Sequence, residues 1–145
     1  MPIPHPGDFH FHPEFRPEFS VLDPSVKKEL AATILAIRNA GGPTVGRPTV
    51  DTLNGSRYPN MKEIRFDNET EVWRFAFAYT PTRDAVVLCG GDKQGTSEKA
   101  FYKALVAKAD RRYGKWLKNV KAATEKASKV EAGKLKQVMK KPKGN

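Results

Sequence analysis

The sequence contains a single cysteine, Cys89, and no long apolar segment. One cysteine cannot form an internal disulfide, and no cluster of thiols is present to hold a structural zinc ion. No apolar run approaches the roughly 20 residues that a transmembrane helix requires. The proline-rich residues 1–6 have neither the basic region nor the apolar region of a signal peptide. These absences predict a soluble, cytoplasmic protein that does not act at a membrane.

Acidic residues are scarce relative to basic ones, and the imbalance is concentrated at one end. The 145 residues contain 26 Lys and Arg against 16 Asp and Glu, for a net charge of +10. Residues 115–145 hold ten lysines, no arginine and only Glu125 and Glu131, so they supply +8 of that excess. Two interpretations stay open: a solvated tail, or an arm that attracts RNA or ribosomes through salt-dependent charge.

The order of sequence patterns predicts one α+β domain at residues 8–118, preceded by an irregular segment at 1–7 and followed by a lysine-rich tail at 119–145. The tail is expected to be disordered or loosely helical. The expected elements are a strand at 8–12, a short helix or turn at 13–19, a helix from Pro24 to about residue 40, strands at 61–66, 72–79 and 85–89, and a long helix capped by Ser97. The segment between the second helix and residue 61 is predicted to be a loop.

The second helix has clear start and packing signals. Asp23 offers a side-chain acceptor at the N-cap, and Pro24 fits the first helical position, where its missing N–H has no cost. An amphipathic stripe predicted to face the core follows, made of Val26, Leu30, Ile34 and Ile37.

The alternation of side chains along two strands separates a core face from a candidate site. Successive side chains in a strand point to opposite faces. The aromatic row Trp73, Phe75, Phe77 and Tyr79 is therefore predicted to be core, whereas Glu63, Arg65 and Arg74 point away from it. Alanines beside Arg74 predict a shallow, open face where two guanidinium groups and a carboxylate meet a phosphodiester. A structural pair between Glu63 and either arginine is the alternative.

Four short segments together resemble a known protein family. They are Leu53-Asn54-Gly55-Ser56-Arg57-Tyr58, Met61-Lys62-Glu63-Ile64-Arg65, Trp73-Arg74-Phe75-Ala76-Phe77-Ala78-Tyr79 and Leu88-Cys89-Gly90-Gly91-Asp92-Lys93. In this order they resemble the RelE/ParE toxin superfamily of type II toxin–antitoxin modules, and most closely its HigB-like, phage-derived branch. The resemblance implies a RelE-like fold, with a small, mainly antiparallel twisted sheet, two N-terminal helices and one C-terminal helix.

The resemblance also implies an activity and its partners. Such toxins cleave mRNA on the ribosome without a metal or other cofactor, and a protein antitoxin, usually with a helix-turn-helix domain, neutralises them. The 2′-hydroxyl of the RNA attacks the adjacent phosphate, and the enzyme positions the nucleotide and stabilises the added charge. Two alternatives stay open: a ParE-like inhibitor of DNA gyrase, and a non-catalytic, basic nucleic-acid-binding protein that works through its tail.

The resemblance assigns candidate catalytic residues in the two strands. Arg74 matches the family's basic residue in the aromatic strand and is expected to hold the scissile phosphate. Arg65 matches the basic position of the preceding strand and is expected to hold phosphate as well. Lys62 is a candidate to add positive charge nearby, although it has the core-facing parity of its strand and the direction of its side chain stays open. Glu63 either orients the arginines or accepts the 2′-hydroxyl proton.

Further residues are expected to bind RNA outside the catalytic group. Lys93 matches the end of the last strand, and Tyr102 is either a late aromatic that contacts RNA or a core residue. Arg47 and Arg57, in the loop before the strands, complete the predicted RNA-binding set. The sequence departs from the family in one respect, because its three histidines, His5, His10 and His12, all precede the second helix. The general acid and base are therefore not identified by the resemblance.

Overall fold

The computed structural model describes residues 7–139, and side chains up to Leu135. All but Gly7 of the segment predicted to be irregular lies outside the described residues, as do residues 140–145 of the predicted tail. The strands are β1 (Phe9–Phe11), β2 (Val50–Thr52), β3 (Met61–Asn68), β4 (Glu71–Tyr79) and β5 (Ala85–Asp92). The helices are α1 (Phe15–Ser20), α2 (Pro24–Asn39) and α3 (Glu98–Met139).

The five strands form one sheet in the order β1-β5-β4-β3-β2. The β3–β4–β5 meander is antiparallel, β2 adds to it antiparallel to β3, and β1 pairs in parallel with β5. Short turns connect the meander strands, as antiparallel neighbours allow. The predicted α+β class with a mainly antiparallel sheet is confirmed.

The aromatic row of β4 forms the core against helices α1 and α2. Phe75 and Phe77 are fully buried in a cluster that also contains the α2 stripe, and Trp73 and Tyr79 pack against its margin. Burying each such side chain contributes about 1.5–3 kcal/mol relative to leaving it exposed. Both predictions, the core role of the row and the inward stripe of α2, are confirmed.

Two local expectations are wrong. The predicted loop before residue 61 contains β2, a three-residue edge strand in which Val50 pairs with Ile64. Three residues are too few to show an alternating pattern within a segment rich in glycine and proline. The second error concerns the start of α2, where the Asp23 side chain makes no capping hydrogen bond and its backbone carbonyl accepts from Val26 and Lys27.

Helix α3 covers the sheet face that the sequence predicts to be open. The Cys89 thiol donates to the Leu105 carbonyl at 3.6 Å, and the Tyr113 hydroxyl donates to the Tyr79 carbonyl at 3.2 Å. Ala76 and Ala78 are completely buried. The small alanine side chains thus leave room for a helix to lie close to the sheet, and this part of the face is neither shallow nor open.

The helix continues beyond the domain as a separate unit. Compact packing divides the chain after Tyr113, and residues 114–139 are helical as the second part of α3. Every residue from Lys118 to Leu135 is exposed. Residues 119–139 of the predicted tail are therefore helical in the structure.

Arg112 anchors α3 to α1 and to the backbone of β5. Its guanidinium donates to the Leu88 carbonyl at 2.7 Å and forms a two-bond contact with the Glu18 carboxylate. This hydrogen bonding lowers the pKa of Glu18 below its ordinary value and raises that of Arg112. Because β1 pairs with β5 only as far as Val87, Arg112 satisfies a carbonyl at the point where strand pairing ends.

Replacing Arg112 with methionine is expected to destabilise the protein by about 2–4 kcal/mol, because Glu18 and the Leu88 carbonyl lose a buried partner. Denaturant unfolding measures this change. Arg111→Met is the matched control: Arg111 is exposed, pairs with Glu14 at 3.2 Å, and should change stability by less than about 0.5 kcal/mol. Equal effects of the two substitutions would contradict the anchoring role of Arg112.

Candidate active site

Two arginines face each other across the β3–β4 ladder. The register pairs Arg65 directly with Arg74 and pairs Glu63 with Ala76, so all three charged side chains lie on one face of the sheet. Like charges directly opposite each other on a sheet are destabilising. The pair therefore requires nearby negative charge, which the protein or an anionic ligand must supply.

Arg74 lies beneath the first turns of α3. Its side chain is 2% exposed, its Nη2 lies 3.7 Å from the Glu98 carboxylate, and its guanidinium carbon lies 5.6 Å and 5.5 Å from the ring centroids of Phe101 and Tyr102. The prediction that Arg74 faces solvent is therefore wrong, because α3 begins directly above it. Within residues 7–135, nothing accepts a hydrogen bond from its buried Nε and Nη1 atoms.

Glu63 is a buried carboxylate beside the arginines. The Tyr102 hydroxyl donates to its Oε1 at 3.2 Å, and its buried Oε2 has no hydrogen-bond partner in the described part of the chain. Burial raises the pKa of Glu63, although the Tyr102 hydrogen bond and the charges of Arg74 and Arg65 oppose that rise. No ion pair joins Glu63 to either arginine among the described side chains, so the alternative of a structural pair is not observed.

Tyr102 connects α3 to this carboxylate. Burial and the hydrogen bond to Glu63 raise the pKa of Tyr102 to about 12, so its hydroxyl stays protonated and acts as a donor at neutral pH. The ring also lies against the Arg74 guanidinium. The sequence left a core role and a site role open for Tyr102, and the structure brings its hydroxyl into contact with the predicted site.

An open cleft of about 540 Å³ adjoins the buried group. Arg65 is exposed in it, and Glu63 forms part of its wall. Arg47 contributes a second cation and is held by Asp51, with 3.0 Å between Arg47 Nε and Asp51 Oδ2. The other lining residues are Pro48, Thr49, Phe66 and Asp67. The site thus has an open part around Arg65 and Arg47 and a covered part around Arg74, with Glu63 bordering both.

Three predicted residues are not part of this group. Lys62 lies on the opposite face of the sheet from the arginines and donates from Nζ to the Thr52 hydroxyl at 3.3 Å. Strand alternation alone places it there. The Arg57 backbone N–H is bonded to Asp110 of α3 at 3.0 Å. Lys93 is exposed just after β5, and no described contact links it to the arginines.

Two residues that contact Arg74, Glu98 and Phe101, were not among the predicted site residues. The Ser97 cap is present, since the Ser97 hydroxyl accepts from the Ala100 N–H at 3.1 Å. A capped start places the next residues in the first turns of the helix. Their contact with Arg74 depends on where α3 packs, which no local pattern indicates.

His10, His12 and Cys89 make contacts that are typical of structural residues. His10 Nε2 lies 3.1 Å from the Asp84 carboxylate, and His12 Nδ1 accepts from the Glu14 N–H at 3.0 Å. Burial raises the pKa of the Cys89 thiol to about 12, which keeps it protonated and inert. Over the described residues, no group of three or more His, Cys, Asp or Glu side chains is placed to hold a metal ion, and no helix is long and apolar enough to cross a membrane.

Replacing Glu63 with glutamine is expected to stabilise the protein more at pH 7 than at pH 4. The raised pKa of Glu63 means that the folded state binds its proton more tightly, so the wild type loses stability as pH rises from the ordinary carboxyl value through the raised one. Glutamine is neutral throughout and has no such loss. Denaturant unfolding of both proteins at the two pH values measures the difference in the free energy of unfolding. A difference that stays constant with pH would contradict the raised pKa of the buried Glu63 carboxylate.

Comparison with known proteins places this arrangement in a family. Residues 17–114 match the family described as phage derived protein Gp49-like. The chain is 46% identical over 76 residues to the putative toxin HigB3 of Mycobacterium tuberculosis, covering 52% of this chain and 64% of the relative. It is 34% identical over 107 residues to the putative toxin HigB2 of the same organism, covering 72% of this chain and 52% of that relative. The matches thus span between half and two thirds of these relatives' lengths.

Among solved structures, a mutant of the Escherichia coli toxin RelE in the free state is similar, with a TM-score of 0.49 and 14% identity over 70% of this chain and 94% of that chain. The resemblance to the phage-derived, HigB-like branch that the sequence motifs indicate is confirmed by the family match and the two curated relatives. The family match includes every strand of the meander, α2 and the buried part of α3. The protein belongs to the Gp49-like family of phage-derived proteins.

Proposed function

We propose that the protein is the toxin of a type II toxin–antitoxin module and an endoribonuclease that cleaves mRNA on the ribosome. The observation that carries the proposal is the opposed pair Arg65 and Arg74 beside the buried Glu63–Tyr102 hydrogen bond. The two curated relatives, both named as putative toxins, support the toxin part of the proposal.

The chemistry requires cations and a proton acceptor at one place. The 2′-oxygen of the RNA forms a bond to phosphorus as it loses its proton, and the bond from phosphorus to the 5′-oxygen breaks. The departing 5′-oxygen takes up a proton from water, so the products are a cyclic phosphate and a 5′-hydroxyl. Negative charge grows on the phosphate oxygens in the transition state, and preorganised cations that meet this charge lower the barrier. Arginines suit the task because they remain charged and their planar fork matches phosphate geometry.

The open part of the site supplies the first phosphate contact. Arg65 is exposed at the cleft, which at about 540 Å³ is large enough to accept a nucleotide. Arg47 lies at the same cleft and holds the neighbouring phosphate or ribose in the proposed complex. Asp51 and Asp67 also line the cleft, and their carboxylates disfavour phosphate next to them.

In the proposed complex Arg74 binds the phosphate from the covered part of the site, beneath the first turns of α3. Its Nε and Nη1 are hydrogen-bond donors that the described chain leaves without acceptors, and a phosphate oxygen is an acceptor that matches them. The Glu98 carboxylate occupies the Nη2 side at 3.7 Å and is itself 58% exposed. In the proposed complex the phosphate takes the place of Glu98, and the first turn of α3 shifts to admit it.

Glu63 accepts the proton of the 2′-hydroxyl in the proposed mechanism. Its raised pKa brings it closer to neutral pH, where a general base works most effectively. The Tyr102 hydroxyl fixes Oε1, and the buried Oε2, which has no hydrogen-bond partner in the described part of the chain, is the proposed proton acceptor. Tyr102 is therefore a positioning residue for the carboxylate.

The proposed partners follow from the same function. A protein antitoxin, which we propose carries a helix-turn-helix domain, neutralises the toxin, and both act in the cytoplasm. The mRNA is presented by the ribosome, and no metal ion takes part in the proposed reaction.

Arg65→Ala is expected to reduce mRNA cleavage by about 10²–10³-fold, because one cation that stabilises the transition state is lost. Primer extension on cellular mRNA after induced expression measures the cleavage, and growth arrest should weaken in parallel. Arg65 is exposed, so the substitution should leave the fold intact, which circular dichroism and unfolding can verify.

Arg38→Ala is the matched control, since Arg38 is an exposed arginine on α2 that pairs with Asp8. It should leave cleavage unchanged. Growth arrest without codon-phased cleavage in the wild type would contradict the nuclease proposal and favour inhibition of DNA gyrase. Equal cleavage by the wild type and Arg65→Ala would contradict the proposed site.

A further inference from the structure

The second part of α3 carries a row of lysines. A helix turns by 100° per residue, which places Lys118, Lys121, Lys126 and Lys129 within an arc of about 140° on one side and along about 16 Å of the axis. All four are exposed. Glu125 is the single acidic residue within this arc, and we call the four lysines the lysine row.

We infer that the lysine row is an RNA-binding surface, separate from the proposed active site, that grips the phosphate backbone without regard to sequence. Lysines on one face match a strand of phosphates, since each is a flexible point charge with a long reach. The row has no arginine and no aromatic side chain to read or stack on a base. The expected contact is therefore with phosphates alone.

Repulsion between neighbouring lysines makes the binding of a polyanion favourable for the helix itself. Lys118 and Lys121 are three residues apart, as are Lys126 and Lys129, and like charges at this spacing repel on a helix. Glu125 offsets part of this repulsion because it lies four residues from both Lys121 and Lys129. A bound phosphate chain would offset the remainder and stabilise the helix.

The lysine row follows the compact domain in the chain, which agrees with a binding surface additional to the proposed active site. The family match ends at residue 114, and the compact domain ends at Tyr113, so the row belongs to neither. The proposed active site lies entirely within the domain. The inference does not rest on the proposed nuclease function, since phosphate binding requires no cleavage.

The opposite side of this helix favours RNA over a lipid surface. It presents Val120, Ala123, Ala127 and Val130, and the two valines are 47% and 51% exposed. Trp116 lies four residues before Val120 on the same side, but it is partly buried. Beyond Trp116 the stripe holds only alanine and valine, whereas helices that lie in a membrane interface bury several large apolar side chains.

The test compares the full chain with a variant in which all four lysines of the row are replaced by glutamine. The probe is a fluorescent 20-nucleotide 2′-O-methyl RNA, which has no free 2′-hydroxyl and cannot be cleaved. Fluorescence anisotropy at several salt concentrations gives the affinity. Four lost phosphate contacts should make the slope of log affinity against log salt shallower by about 3, and should weaken binding at least tenfold at 0.15 M salt.

The matched control replaces the same four lysines with arginine, which keeps the charge and the helix propensity. It should retain the wild-type affinity and slope. Circular dichroism of the glutamine variant verifies that the helix is intact.

The inference would be overturned if the glutamine variant kept the wild-type RNA affinity and the wild-type slope of log affinity against log salt. It would also be overturned if polyglutamate or anionic phospholipid vesicles displaced the labelled RNA as effectively as unlabelled RNA, since the row would then serve an acidic protein or a membrane. Loss of RNA binding in the glutamine variant with unchanged mRNA cleavage would support the row and leave the active site unaffected.

Discussion

The burial of a charged arginine among incomplete partners is the constraint on which the candidate site depends. Arg74 sits opposite Arg65 on the sheet, and its side chain is 2% exposed. A buried donor without an acceptor costs about 1–3 kcal/mol, and Arg74 has two such atoms. The Phe101 and Tyr102 rings and the Glu98 carboxylate offset part of this cost. A hydrophobic residue in this position would pack at lower cost, and the phosphate that we propose as the ligand would accept from both open donors.

Helix α3 sets how accessible this group is. The alanine face of β4 and the anchor at Arg112 fix the helix against the domain, and its first turns then lie over Arg74. The same helix delivers the Tyr102 hydroxyl to Glu63. One element therefore covers the arginine and orients the carboxylate. The cleft beside Arg65 remains open, and in the proposed mechanism an RNA strand makes its first contact there.

Periodic patterns in the sequence predicted much of this fold. Apolar residues three and four apart marked α2, and the aromatic alternation in β4 marked both the core face and the opposite face with Glu63, Arg65 and Arg74. The order of the motifs indicated the family. These features are local, or they depend on the two-residue repeat of a strand, and both are visible without coordinates.

Features that depend on long-range packing were not predicted. The alanines beside Arg74 were interpreted as an open bay, but small residues on a sheet serve equally well to seat a helix. Strand alternation placed Lys62 on the core-facing side, and only the structure shows where its side chain goes, to the Thr52 hydroxyl. Glu98 and Phe101 came to the site only through the docking of α3. Edge strand β2 was too short to show a pattern.

The most direct test of the site is to observe its arginines while RNA binds. In ¹⁵N-labelled protein, titration with an uncleavable 2′-O-methyl trinucleotide should shift the Nε–H signals of Arg65 and Arg74 together, with one shared dissociation constant. The Nε–H signal of Arg112, which holds α3 in place, should not move. Binding of the trinucleotide with no change at Arg65 or Arg74 would show that RNA is held elsewhere, and would contradict the account.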